Sequence, residues 1–245
     1  FGVPLISPTA TEERISTIGP YIFQLNPSIE VQGRTIAHHA VKSMGLTKLA
    51  VLHPNDSYGS DLTKAFTQEV TRLGGSVVAV ESYEEGTADF KDQILRMKPQ
   101  EPSAIFIPGY PDDIVLIAPQ LRYYEVNVQI LGSEGWNSEK VTTLGEDYVE
   151  GVIFTSPSVK TEESLAAKEF ARQFELTYGS QPSRASALAY DAAKIVMEGI
   201  ENGATTRVTL REYLASVTGY WGASGLVSLT GSGGAGGVSL NTIKN

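Results

Sequence analysis

Cysteine is absent from this 245-residue chain. That excludes a disulfide scaffold, thiol chemistry and thiolate zinc sites, and it fits either a reducing or an oxidising compartment. No stretch approaches the roughly 18 consecutive apolar residues of a membrane-spanning helix. The amino terminus lacks the basic start and apolar core of a signal peptide. Histidine is scarce: His38 and His39 lie in a predicted helix and His53 ends a predicted strand, with no HExxH or comparable pair, so all three read as structural or surface residues and no metal is expected. Positive charge is also short, 19 Lys and Arg against 28 Asp and Glu, for a net charge of -9 without any run of like charges. A nucleic acid or an anionic membrane surface is therefore not expected as a partner. No GxSxG elbow, Walker loop or GxGxxG follows a strand, and the glycine-rich stretch at 231–237 opens no helix, which disfavours phosphate and dinucleotide sites and leaves no cofactor to expect. The paired acids Asp112–Asp113 and Glu84–Glu85 are sequence neighbours, which do not face one another on a helix, so acid–base catalysis lacks a constellation.

What is present is a 41% hydrophobic composition, enough to bury a core, distributed in a regular pattern. Short runs rich in Val, Ile and Leu alternate with amphipathic stretches of helical length, the pattern of parallel βαβ units. The strands are expected at 3–6, 49–53, 76–81, 104–108, 129–132 and 151–155, and the helices between them at about 32–44, 59–73, 90–97, 112–123 and 138–144. From about Glu162 three successive helices are expected, at 162–178, 184–202 and 210–218, marking a second structural region. The end reads as two short strands, 225–229 and 238–243, around a flexible glycine turn. The chain opens directly on an apolar strand, which needs neighbours to pair with.

In an open parallel sheet ligands bind beyond the carboxyl ends of the strands, so the residues directly after each apolar run are the informative ones. After the first run come Ser7 to Thr11, small hydroxyl residues that could meet a charged ligand at a helix amino terminus or act as plain N-caps, the reading favoured on this segment alone. Tyr58 follows the second run and fits either a pocket wall or half-buried packing. Tyr110 and then Glu134 with Trp136 follow two later runs, although a lone loop glutamate is usually just solvated. Taken together, two tyrosines and a carboxylate at successive strand ends make a half-cage suited to an ammonium, through cation–π contact and an ion pair. The segment from Thr9 to Thr11 could take the opposite charge, so a zwitterion would satisfy both.

The ordered series ValProLeuIleSerProThrAlaThr, AsnProSerIleGluValGlnGly, LeuAlaValLeuHisProAsnAspSerTyrGly, ThrAlaAspPhe, IlePheIleProGlyTyr, GlySerGluGlyTrp and AlaLeuAlaTyrAspAla resembles the branched-chain amino-acid-binding type of periplasmic ABC-transporter receptor. The resemblance implies an α/β, two-lobed type I periplasmic binding protein with parallel-sheet, Rossmann-like lobes. Residues 1–28 and 158–237 would form a first lobe, and 29–157 and 238–245 the second. The opening β-α alternation of the family's first lobe, with a serine loop that helps hold the ligand carboxylate, has no counterpart here, so an incomplete first lobe and a missing preceding segment are expected.

By the same resemblance, the backbone at Thr9 and the hydroxyl of Thr11 would contact the α-amino and α-carboxylate groups of a free amino acid, branched-chain or otherwise apolar. Tyr58 and Tyr110 would line the opposite wall and Glu134 would bind the α-ammonium. Trp136 and Arg184 are candidate pocket-wall residues. The protein would act as an extracytoplasmic, periplasmic receptor, monomeric, whose closed form delivers the ligand to an ABC-transporter permease without chemistry. A sensor or regulatory receptor binding an amide or other small metabolite is the alternative within the fold, and an α/β hydrolase or transferase the alternative outside it.

Overall fold

The computed structural model describes residues 2–10, 15, 18–26, 29–156, 164–229 and 238–244. The chain divides into two compact units, Phe1–Ser28 with Pro157–Ser239, and Ile29–Ser156 with Leu240–Asn245.

The second unit is built on strands β3 (Lys48–Pro54), β4 (Ser76–Tyr83), β5 (Ala104–Ile107), β6 (Gln129–Gly132), β7 (Ile153–Ser156) and β10 (Ser239–Thr242), in the spatial order β10-β7-β6-β5-β3-β4. The β3–β4, β3–β5, β5–β6 and β6–β7 pairs are all parallel. The apolar runs are continuous because both faces of the sheet are covered. Side chains alternate along β3 and β5: Leu49 and Val51 enter one core with Phe106, whereas Ala50 and Leu52 enter the other with Ile105 and Ile107. Helices α1 (Ile29–His38) and α2 (Ser57–Arg72) cover the first face through Ile36 and Phe66, and Phe66 stacks on Phe106 with ring centroids 4.4 Å apart. Gly33 lets these two helices approach closely, since a Cβ there would lie 2.9 Å from that of Ala65. Helices α3 (Lys91–Met97) and α4 (Pro111–Tyr123) cover the second face through Ile94 and Ile117. The short helix α5 (Glu139–Leu144) adds Val141 to that core.

In the first unit, β1 (Leu5–Ser7) pairs in parallel with β2 (Ile22–Gln24), and β8 (Tyr220–Gly222) pairs antiparallel with β9 (Gly225–Val227). Helices α6 (Leu165–Tyr178), α7 (Arg184–Glu201) and α8 (Arg207–Ser216) complete it, around a core that includes Phe23, Leu188, Ile195, Leu214 and Val227. Asp191 is buried in α7 and its carboxylate accepts bonds from Ala223 N, Ser224 N and Ser224 Oγ at 2.7, 2.7 and 2.5 Å, which fastens the β8–β9 turn to the helix.

Several elements differ from expectation. Strand β1 starts two residues later than the apolar pattern suggests, and β2 and β8, each three residues long, carry too short an alternation to stand out. The helix expected from 32 to 44 begins at Ile29 and passes into a π-turn at His39–Ser43. Helix α8 begins at Arg207 because Thr206 and Thr209 form a reciprocal capping box. The two carboxyl-terminal strands are both present, with separate partners: β9 joins β8 in the first unit, and β10 lies beside β7, where Ile243 N donates to Val152 O. The glycine turn expected between them, 231–237, lies outside the described residues.

Candidate functional site

The order of strands reverses at β3, because the chain runs outward to β4 and then returns to place β5 on the other side of β3. At such a reversal the loops leaving the two adjacent strands diverge and open a crevice at their carboxyl ends. The segments after β3 and β5 carry Tyr58 and Tyr110. Their rings stack with centroids 5.3 Å apart and an interplanar angle of 27°.

Each tyrosine is held by its local sequence. Asp56 is the N-cap of α2 and accepts from Gly59 N at 2.7 Å, a contact of about 1 kcal/mol that fixes the first helical turn. Gly59 is needed there, since a Cβ would lie 2.3 Å from the carbonyl oxygen of Pro54 at the end of β3. Tyr58 is thereby anchored against the strand end, and its hydroxyl lies 2.9 Å from Ser133 Oγ, which is fully buried. Tyr110 occupies the N-cap position of α4, just ahead of Pro111 at the position where a missing N–H costs nothing. Its hydroxyl donates to the second Asp56 oxygen at 2.8 Å, so one carboxylate both caps α2 and tethers the opposing ring. Desolvation, followed by the negative charge of Glu134, pushes the Tyr58 hydroxyl above the ordinary tyrosine range. Desolvation and then the Asp56 bond push Tyr110 up to about 12. Both hydroxyls stay protonated across the physiological range.

Glu134 opens a 3-10 turn, Glu134–Trp136, directly after β6. Two glycines lock that turn. A Cβ on Gly135 would lie 2.1 Å from the carbonyl oxygen of Gly109, and one on Gly132 would lie 2.3 Å from the Trp136 ring. The turn is thus pressed, through Gly135, against the segment that carries Tyr110. Behind it, Gln32 Nε2 donates to Glu134 Oε2 at 3.5 Å. A partly buried carboxylate beside two aromatic rings and their hydroxyls favours a compact cation, which meets the ion pair and the ring quadrupole together. No group of three or more His, Cys, Asp or Glu side chains that could hold a metal occurs among the described residues.

Of the residues singled out from sequence, Tyr58, Tyr110 and Glu134 are brought to one edge of one sheet. Trp136 is placed differently: it is 1% exposed, belongs to the hydrophobic core and donates Nε1–H to Ile107 O at 2.8 Å, so it supports the turn from beneath and presents no free ring face. Thr9 and Arg184 belong to the first unit. There Asn26 links them, donating to Thr9 O at 3.3 Å and accepting from Arg184 Nη2 at 2.7 Å. Thr11 lies outside the described residues. Asp56, Ser133, Gln32 and Asn26 were not singled out from sequence. Gln32 alone left a legible signal, as a polar residue on the apolar stripe formed by Ile29 and Ile36 of α1 and continued by Ala40 of the π-turn.

Comparison with known proteins gives a consistent result. The family model described as "Periplasmic binding protein" matches residues 1–239. A Leu/Ile/Val-binding protein homologue from Brucella melitensis is 26% identical over 207 residues, 84% of this chain and 55% of the relative. A leucine-, isoleucine-, valine-, threonine- and alanine-binding protein from Pseudomonas aeruginosa is 26% identical over 202 residues, 82% of this chain and 54% of the relative. The chain therefore spans about half the length of the curated relatives it matches. The crystal structure of a leucine-binding protein from Thermotoga maritima superposes with a TM-score of 0.81 at 27% identity, covering 100% of this chain and 71% of that one. A branched-chain amino acid transporter substrate-binding protein from Streptococcus pneumoniae, solved with isoleucine, superposes with a TM-score of 0.70 at 25% identity, covering 99% and 73%.

Proposed function

Because this chain belongs to the periplasmic binding protein family, with the type I fold of its structural neighbours, we propose that it serves as an extracytoplasmic solute-binding protein. Its ligand is a free, apolar amino acid, which it delivers to an ABC-transporter permease without chemical change. The observation that carries this reading is the Tyr58–Tyr110 stack with Glu134 beside it, three side chains from three strand ends around the point where the strand order reverses. In this reading Glu134 takes the α-ammonium while the tyrosine faces surround it. The segment from Thr9 to Thr11 in the first unit takes the carboxylate end. Binding then favours a closed state, because only closure lets one ligand use both contact sets. The names of the relatives, Leu/Ile/Val-binding in one and leucine, isoleucine, valine, threonine and alanine in the other, support a small or branched, mainly aliphatic side chain on the ligand.

Calorimetric titration of the purified protein with leucine, isoleucine, valine and the deaminated analogue 4-methylpentanoate tests this. Binding of the amino acids, with a loss of about tenfold or more in Glu134→Gln, is the expected result, since a hydrogen bond to a charged group contributes about 1.5–3 kcal/mol. Equal binding of 4-methylpentanoate, or unchanged affinity in Glu134→Gln, would overturn the ammonium role. Binding of short amides instead of amino acids would favour a sensory receptor on the same fold.

A further inference from the structure

We propose that Gln32 is a positioning residue for Glu134: its side-chain amide, braced by Thr155, holds the Glu134 carboxylate at the end of β6 where a ligand cation would meet it. The inference rests on the amino-acid-binding reading above and adds to it a residue on a different element. Gln32 lies in the first turn of α1 and is fully buried. The buried positions of that helix, Ile29, Ile36 and Ala37, continued by Ala40 and Val41, are otherwise apolar apart from Gly33. A long amide on that stripe contradicts the apolar pattern of a core-facing helix, and such departures concentrate where a site has to be supported.

Both ends of the amide are used. Nε2 donates to Glu134 Oε2 at 3.5 Å, and Oε1 accepts from Thr155 Oγ1 at 3.5 Å. Thr155 is itself fully buried on β7 and is also 3.5 Å from the carbonyl oxygen of Gly132, two residues before Glu134. These contacts join α1, the end of β6 and the end of β7 across sequence separations of 102 and 123 residues. A purely structural amide would serve as well if it bonded the backbone. This one instead directs an N–H at the carboxylate of the candidate site, which orients that carboxylate.

Leucine affinity is measured by calorimetry for the wild type, Gln32→Met, Glu134→Gln and the double variant. Gln32→Met preserves the length of the side chain and removes both hydrogen bonds. The expected result is a loss of about three- to tenfold in Gln32→Met alone, and a double variant within about twofold of Glu134→Gln, because a residue that acts through Glu134 has nothing left to position once the charge is gone. Thr155→Val releases the amide from its far end while leaving Gln32 in place. It should weaken binding in the wild-type background and leave the Glu134→Gln background unchanged, which keeps the test intact if Gln32→Met fails to fold. Wild-type affinity in both Gln32→Met and Thr155→Val, or losses that multiply in the double variant, would overturn the positioning role while leaving the ligand class standing. Wild-type affinity in Glu134→Gln would remove the ammonium site and the positioning role together.

Discussion

Replacing Gly132 with alanine tests whether the turn that carries Glu134 is built as described. The added methyl would lie 2.3 Å from Trp136 Cδ1 and 2.6 Å from Cγ and Nε1. The indole has no room to yield, being 1% exposed within the core and tied through Nε1–H to Ile107 O at 2.8 Å. Either the ring is displaced and that bond breaks, or the end of β6 bends away from β5. Overpacking of a close-packed core costs about 1–3 kcal/mol and the lost hydrogen bond about 1 more, so a destabilisation of about 2–4 kcal/mol is expected. In urea this lowers the unfolding midpoint by about 1–2 M for a unit of this size. Tryptophan emission reports it directly, because the only other tryptophan, Trp221, is 57% exposed and already emits as a solvated ring. The same substitution in a Trp136→Leu background should cost much less, since the atoms it strikes are gone. An unchanged midpoint with an unchanged slope would refute the packing of the turn, and with it the placement of Glu134.

Two further outcomes follow from the structure. Asp191→Asn should destabilise the first unit by about 2–4 kcal/mol, because the buried carboxylate accepts from three donors of the β8–β9 turn and an amide cannot accept from all of them. Urea unfolding followed by far-ultraviolet circular dichroism, which sees the loss of helices α6 to α8, reads this, and a wild-type midpoint would refute it. Asp113 is held above the ordinary carboxylate range, first by burial and then by the charges of Asp112 and Asp56, against the opposing bond from Tyr83 OH at 3.0 Å. A carboxyl whose folded pKa exceeds its unfolded one binds protons more tightly when folded, so the wild type gains stability from this group as pH falls through the raised value. Asp113→Asn should therefore melt higher than wild type at pH 7, with the difference shrinking as the pH falls through the raised value and the wild-type carboxyl takes up its proton. A difference independent of pH in thermal melts would count against the assignment.

The β-α alternation from Lys48 to Ser156 was legible because both faces of the parallel sheet are buried, which forces long unbroken apolar runs such as Leu49–Leu52 and Ala104–Ile107. Strands β2 and β8 were not legible, since three residues cannot display a period of two strongly enough to outweigh their surroundings. The partners of the last strands were hidden for another reason. Neither β9 nor β10, three and four residues long, carries enough pattern to name its neighbour, and only long-range pairing sends one to β8 and the other to β7.

The same division runs through the site. Tyr58, Tyr110 and Glu134 could be picked out because each directly follows an apolar run, and strand ends are where an open parallel sheet offers side chains to a ligand. Trp136 shared that position in the chain, yet it turns inward: Gly132 leaves a cavity for its indole, and the Ile107 carbonyl supplies the one acceptor that its N–H needs. Local pattern, set by the periodicity of the backbone, determined which residues reach the edge of the sheet. Only the tertiary structure decided their neighbours, because strand order and loop packing bring Asp56 to Tyr110, Ser133 to Tyr58 and Gln32 to Glu134, contacts between residues 54, 75 and 102 positions apart.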